Sequence, residues 1–370
     1  MENATMATAA NQFRPDYAVP PGWILEERLE VHGMSQAEFA RRCGRSAKLI
    51  SEIIAGKAPL EPETAIQFEK VLGVDADLWL SIESGYQLHR AREADAARAK
   101  DAIAWSKTFP INDLVKRRCF AKPVNPVDAV SKLLAFFGVG SLDAWNSQYG
   151  LAKVAYRHSP SFKSNEIALA TWLRLGELDA EQQECADYSE TQFKLALKQI
   201  RALTREPVEQ AIPLARALCN EAGVALALVP PLAKTALSGA AWWISPRKPV
   251  IQLSARHKSD DHLWFSFFHE AAHILLHSKK SVFVDDKSRD GTDEEKEADA
   301  WACNTLVPTT AWRQFVATGP RSERAVLDFA DSQGIAPGIV VGMLQHSGIL
   351  PWTHLNGLKI RLKWSTGAED

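Results

Sequence analysis

Cysteine is scarce, long apolar runs are missing and neither sign of charge dominates; each shortage excludes something. Five cysteines among 370 residues, an odd number with no CxxC pair, do not make a disulfide framework and suit reduced thiols in a cytoplasmic protein. No segment holds 18 uncharged apolar residues in a row, and the opening MENATMATAANQFRP has neither a basic start nor a continuous apolar core. Neither export nor membrane insertion is signalled. A formal net charge of -2 nominates no partner by itself. There is no internal repeat, and the one biased stretch, AREADAARAKDAIA (91–104), reads as a strong helix former.

What is present is a chain long enough for two or three domains, with the 46% hydrophobic and 24% charged content of a globular protein. From 22 to about 107 it reads as several short helices, broken at HGMS, CGRS and AGKAPLEPE. After the connector FAKPVNP (120–126) a second helical block runs to about 223, with periodic runs such as VSKLLAFF and ALATWLRL. Then VALALVP (224–230), LSGAAWWI (237–244) and PVIQLSA (249–255), the last two separated by the turn-like SPRK, predict a small sheet with a hairpin. Helical periodicity returns at about Ser259 and continues, with breaks, to about Gln345.

The stretch FHEAAHILLH (268–277) carries the strongest chemical pattern. Positions i and i+4 share a helix face, so His269 and His273 can aim imidazole nitrogens at one ion, with Glu270 beside them. The flanks FSFF and ILL are apolar, so the helix is predicted to be buried, where a polar triplet needs partners. The preceding hairpin matches the way zinc peptidases hold substrate on an edge strand, here LSGAAWWI. In DEEKEADAWACNTLVP (293–308), Glu295 lies 22 positions after His273 and can supply a third ligand. Asp299, four positions further, can orient an imidazole from behind. Glu294 and Glu297 compete with Glu295, although both read more simply as solvated charges near a helix N-terminus. His277, His262, His346 and His354 are weaker candidates, one of the last two being able to stabilise an oxyanion, and Cys303 reads as a core thiol. Two histidines and one carboxylate leave zinc a fourth position for water of lowered pKa, with Glu270 as general base for peptide hydrolysis.

The run SGAAWWISPRKPVIQLSAR, FHEAAHILLH and EKEADAWACNTLVP resembles the ImmA/IrrE metallopeptidases, whose members cut bacterial repressor proteins. The likeness spans about residues 224–310. It implies that His269 and His273 are the histidine ligands, Glu270 the catalytic acid and Glu295 the third ligand of Zn2+. Ala271, Ala272 and Trp301 depart from residues common in that family without removing a ligand.

The segment MSQAEFARRCGRSAKLISEIIAGK (34–57) has its own signature. Ser35 and Ser46 suit N-caps, Gly44 a tight turn, and Phe39, Ala40, Leu49, Ile50 and Ile53 an inward face. Two short helices about a glycine make a helix-turn-helix. Arg41, Arg42, Arg45, Lys48 and Lys57 face only Glu52 as an acid between 41 and 57, whereas residues 22–92 as a whole carry more acids than bases. Positive charge is thus concentrated where DNA would lie. Residues 20–88 resemble Xre-type proteins, HigA-like antitoxins in particular. That resemblance implies a phosphate contact for Gln36 and a major-groove face of Ser46, Ala47, Lys48 and Ser51, with Arg45 expected to bind DNA beside them.

The expected architecture is mainly α with a small β-sheet (α+β): a flexible N-terminus (1–19), a helix-turn-helix domain (20–93), a helical connector (94–125), a helical middle region (126–223), a zincin-like peptidase domain (224–350) and a C-terminal tail (351–370). The expected protein is a cytoplasmic homodimeric regulator that binds operator DNA and cleaves a regulatory protein with zinc. The rival is an antitoxin or repressor, with a toxin partner, whose peptidase-like domain only senses or binds.

Overall fold

The computed structural model describes residues 17–150, 166–233, 235, 237–279, 282–285 and 292–362. Most of the expected flexible N-terminus and residues 363–370 of the expected tail lie outside them. The backbone divides into two compact units, Met1–Ile103 and Ala104–Asp370.

Among its described residues the first unit contains five helices, α1 (Pro21–Val31), α2 (Gln36–Cys43), α3 (Ala47–Ile54), α4 (Pro62–Leu72) and α5 (Ala76–Asp101). The serines cap as the sequence suggests: Ser35 Oγ accepts from Glu38 N at 3.2 Å and Ser46 Oγ from Leu49 N at 3.1 Å. Gly44 ends α2 with φ 64°, a left-handed conformation that a side chain disfavours. One core gathers Leu25, Phe39, Ile50, Ile53, Phe68 and Trp79, with Phe68 packed on Phe39 at 4.9 Å and on Trp79 at 5.6 Å between ring centroids. Each short helix buries one apolar stripe there, and this common burial stabilises helices too short to stand alone.

After α6 (Ile103–Ser106), the second unit carries α7 (Ile111–Lys116), α8 (Pro126–Phe137) and α9 (Leu142–Gly150), then α10 (Glu166–Glu181), α11 (Glu190–Leu203) and α12 (Val208–Glu221). Strands β1 (Ala225–Leu228), β2 (Gly239–Ser245) and β3 (Lys248–Leu253) follow, then α13 (Asp260–Leu276), β4 (Phe283–Asp285), α14 (Asp293–Leu306), α15 (Thr309–Ala317), α16 (Glu323–Gln333) and α17 (Pro337–His346). The chain is mostly helical with one four-stranded sheet in the order β1-β3-β2-β4. The β2–β3 hairpin forms as expected, while β1 pairs with β3 in parallel.

Both faces of the sheet are covered, which accounts for the near-continuous apolar strands. Leu226, Ala241, Ile251 and Leu253 pack with Phe267, Phe268 and Ala271 of α13. Ala227, Ala240, Trp242 and Val250 pack with Leu169 and Trp172 of α10. One sequence expectation is corrected here. The LSGAAWWI strand is not an open edge at its start, because Gly239–Ala241 of β2 pair with β4 as well as with β3. β4 is the terminal strand on that side among the described residues. Also among them, no helix is long and apolar enough to cross a membrane.

Candidate metal centre and DNA-binding helices

α13 is buried along most of its length, since Leu263, Trp264, Phe267, Phe268, Ala271 and Ala272 fill the core on several sides. It therefore carries His269, Glu270 and His273 inside, at 3%, 0% and 2% exposure. α14 packs against it and presents Glu295 to the same point. Thr292 caps α14 through the Glu295 amide, and Arg201 of α11 donates to the Leu306 carbonyl at the other end, so the acidic helix is tied down at both termini. Of the three competing carboxylates, Glu295 is buried, whereas Glu294 and Glu297 are exposed.

The three ligand candidates converge. His269 Nε2 lies 3.0 Å from Glu295 Oε2 and 3.0 Å from His273 Nε2, and His273 Nε2 lies 3.5 Å from Glu295 Oε2. Ligands of a tetrahedral zinc, each about 2.0–2.1 Å from the ion, sit about 3.3 Å apart. The triangle is therefore of the right size for one ion. Asp299 Oδ1 lies 2.8 Å from His269 Nδ1, and because a carboxylate can only accept, Nδ1 donates and Nε2 keeps its lone pair. Two imidazole nitrogens and a carboxylate oxygen gathered at these distances form a donor set that fits a metal ion.

The ionisation states agree with this. Burial opposes the charge on Glu295, but its close contacts with the His269 and His273 imidazoles outweigh it and hold the carboxyl at about 2. Burial likewise lowers the pKa of His273, against the pull of Glu295. An ionised carboxylate and a neutral imidazole are the forms that ligate. Glu270 extends beneath β2, where a Cβ built on Gly239 would come within 2.8 Å of the Glu270 Cγ. Gly239 therefore makes room for the carboxylate, a role its place in an ordinary strand does not announce.

Other histidines are placed differently. His262 and His346 line a cavity of about 250 Å³ with Phe265, Trp312 and Met343, bordering Asp299. His354 is exposed, with Nε2 3.3 Å from the Arg321 carbonyl. Neither His346 nor His354 joins the ligand triangle. His277, weak in sequence, stands 2.8 Å from His273 through the two Nδ1 atoms. Phe283 of β4 stacks on His273, with centroids 4.3 Å apart and planes at 13°; nothing in the sequence pairs these two. All five cysteines are free, and burial raises the Cys303 thiol to about 11, consistent with a core role.

In the first unit Gln36, Ser46, Ala47, Lys48 and Ser51 are exposed around the α2–α3 turn. Arg45 is engaged within the domain: its Nε donates to Gln67 Oε1 at 2.6 Å and its Nη2 to Glu63 Oε2 at 3.2 Å.

The class of protein is thereby defined: a helix-turn-helix unit in one chain with a unit bearing a two-histidine, one-glutamate centre. Comparison with known proteins agrees. A peptidase-family model described as an IrrE N-terminal-like domain matches residues 220–332, and one described as a helix-turn-helix matches residues 25–79. The chain is 33% identical over 84 residues to the uncharacterized HTH-type transcriptional regulator YddM of Escherichia coli K12, covering 22% of this chain and 89% of that protein. It is 32% identical over 77 residues to virulence-associated protein I of Dichelobacter nodosus, covering 20% and 71%. A solved structure of an addiction module antidote protein of the HigA family from Coxiella burnetii is 23% identical, covering 24% of this chain and 95% of that one, with a TM-score of 0.21. The chain belongs to the Xre-like helix-turn-helix transcriptional regulators and carries, in addition, an IrrE-like domain of the M78 peptidase family.

Proposed function

We propose that the IrrE-like domain is a zinc-dependent endopeptidase that cleaves a regulatory protein, and that the helix-turn-helix unit, acting as a homodimer on operator DNA in the cytoplasm, directs that cleavage to transcription. The observation that carries this reading is the buried triangle of His269, His273 and Glu295 with Glu270 adjoining it on the same helix. A purely architectural domain has no use for a buried fourth ionisable group in that position.

His269, His273 and Glu295 would hold the ion. Zinc in such a site supplies Lewis acidity and brings the pKa of water toward neutrality. Glu270 takes the proton from the attacking water and returns it to the leaving amine. Asp299 fixes the His269 ring, and the wall of Gly239 keeps the Glu270 carboxylate in a defined place. The strand edge beside the centre belongs to β4, whose Phe283 covers His273; an extended substrate would add its backbone there.

Purified protein is expected to hold near-stoichiometric zinc by metal analysis, and His269→Ala to lose it. Glu270→Gln preserves shape. It should keep zinc and DNA binding while hydrolysis of a co-encoded regulator, a toxin partner or the chain itself falls by about 10² to 10⁴. Identical promoter regulation by both proteins, with no cleavage by either, would replace the peptidase with a sensing or binding module.

A further inference from the structure

The two histidine ligands are each backed at Nδ1, but by different kinds of group. Behind His269 stands the carboxylate of Asp299. Behind His273 stands a second imidazole, with His277 Nδ1 at 2.8 Å, and behind that a carboxylate, with Glu297 Oε2 3.4 Å from His277 Nε2. The His277 side chain is only 7% exposed, and the Phe283 ring lies against both imidazoles, 4.3 Å from His273 and 5.2 Å from His277. The pair is thus held in place from one side by β4 and from the other by α14.

With both imidazoles neutral, proton placement along this chain has two arrangements. A carboxylate accepts and cannot donate, so Glu297 draws the His277 proton to Nε2. His277 Nδ1 is then a bare acceptor, and the 2.8 Å contact is a hydrogen bond only when His273 carries its own proton on Nδ1. That leaves the lone pair on His273 Nε2, the atom in the ligand triangle. In the opposite arrangement His277 donates from Nδ1, the His273 proton moves to Nε2, and that nitrogen can no longer ligate.

We propose that His277 and Glu297 form a relay that sets the tautomer of His273 and so prepares it as a metal ligand. The relay rests on the metal reading above, with His277 and Glu297 as positioning residues acting through His273. Asp299 does the same for His269 in one step instead of two. The Glu297 side chain is 61% exposed, so water replaces part of its effect, and His277 carries the larger share.

The test uses the full chain with ¹⁵N-labelled histidine, after chelation, to read the tautomer of each imidazole by NMR, and a chelator competition to read zinc affinity. Wild type is expected to show His273 protonated on Nδ1 with Nε2 bare. His277→Leu should lose that single tautomer and bind zinc about 10–100-fold more weakly, the usual range for loss of a group that orients a ligand. His277→Gln, which retains an acceptor and a donor, should recover most of both. Glu297→Ala changes only an exposed side chain, so it tests the relay even if His277→Leu does not fold; it should give a smaller loss in the same direction. The relay is overturned if His273 keeps its tautomer and zinc affinity is unchanged in His277→Leu, or, should that variant not fold, in Glu297→Ala. Failure of the metal reading is a separate result, in which wild type itself binds no zinc while the tautomers are still readable.

Discussion

Asp260 and Asp261 begin the same helix side by side, and their surroundings drive them in opposite directions. Asp260 accepts from the Ile360 amide at 2.9 Å through Oδ1, while its Oδ2 has no hydrogen-bond partner among the described residues. Burial raises its pKa from 3.8 to about 6. Burial also acts on Asp261, but hydrogen bonds with His262, Lys359 and Ser259 outweigh it and hold that carboxyl well below the usual range. For Asp260 the native state binds a proton more tightly than the unfolded chain, so its contribution to stability falls as pH rises from about 4 to about 6. Comparing urea melts of wild type and Asp260→Asn at matched zinc, the stability of wild type relative to the variant should drop by about 1–3 kcal/mol between pH 4 and pH 7. A constant difference would show that Asp260 does not titrate in that window.

Among the elements, α2, α3 and the turn between them carry basic side chains of two kinds, one exposed and one engaged within the domain. Lys48 is 83% exposed, and its contact with Glu52 at 3.8 Å is a surface pair of little energetic weight. Arg45, in contrast, joins the turn to α4 through Gln67 and Glu63. Lys48→Ala is therefore expected to leave stability within about 0.5 kcal/mol while weakening DNA binding. If Lys48 meets a phosphate, the salt slope of gel-shift affinity falls by about 1. Arg45→Ala should instead cost about 1 kcal/mol of stability in urea melts through the lost hydrogen bonds. Equal destabilisation by the two substitutions would contradict this division.

Across the whole molecule, the C-terminal segment makes several long-range ties. Lys359 Nζ lies 2.6 Å from Asp261 Oδ2, with side chains 10% and 5% exposed. Leu362 N donates to the Lys258 carbonyl at 2.8 Å, and Ser259 and Arg361 form an antiparallel bridge. The segment expected to be a tail thus packs, in its described residues, at the first turn of α13. Removing Lys359 leaves the buried Asp261 carboxylate with only His262 and Ser259 as partners, so Lys359→Met should cost about 1–3 kcal/mol. In calorimetry the loss should fall on the transition that zinc raises, and the helix-turn-helix transition should stay in place. A shift of both would show that the two units unfold as one.

Much of the local structure was determined by sequence alone, because its causes lie within a few residues. Ser35, Gly44 and Ser46 mark helix ends by capping and φ, and the i,i+4 spacing of His269 and His273 puts both imidazoles on one helix face without help from the rest of the chain. Tertiary structure decided what depends on groups far apart in sequence. It selected Glu295 over Glu294 and Glu297 because only Glu295 turns inward where α14 meets α13. It closed the start of β2 with β4, tied Arg45 to Gln67 of α4, and placed Lys359 on Asp261. Periodicity reports which face of a helix is apolar. It carries no information about which distant element that face will meet, and burial and pairing of charge are properties of that meeting.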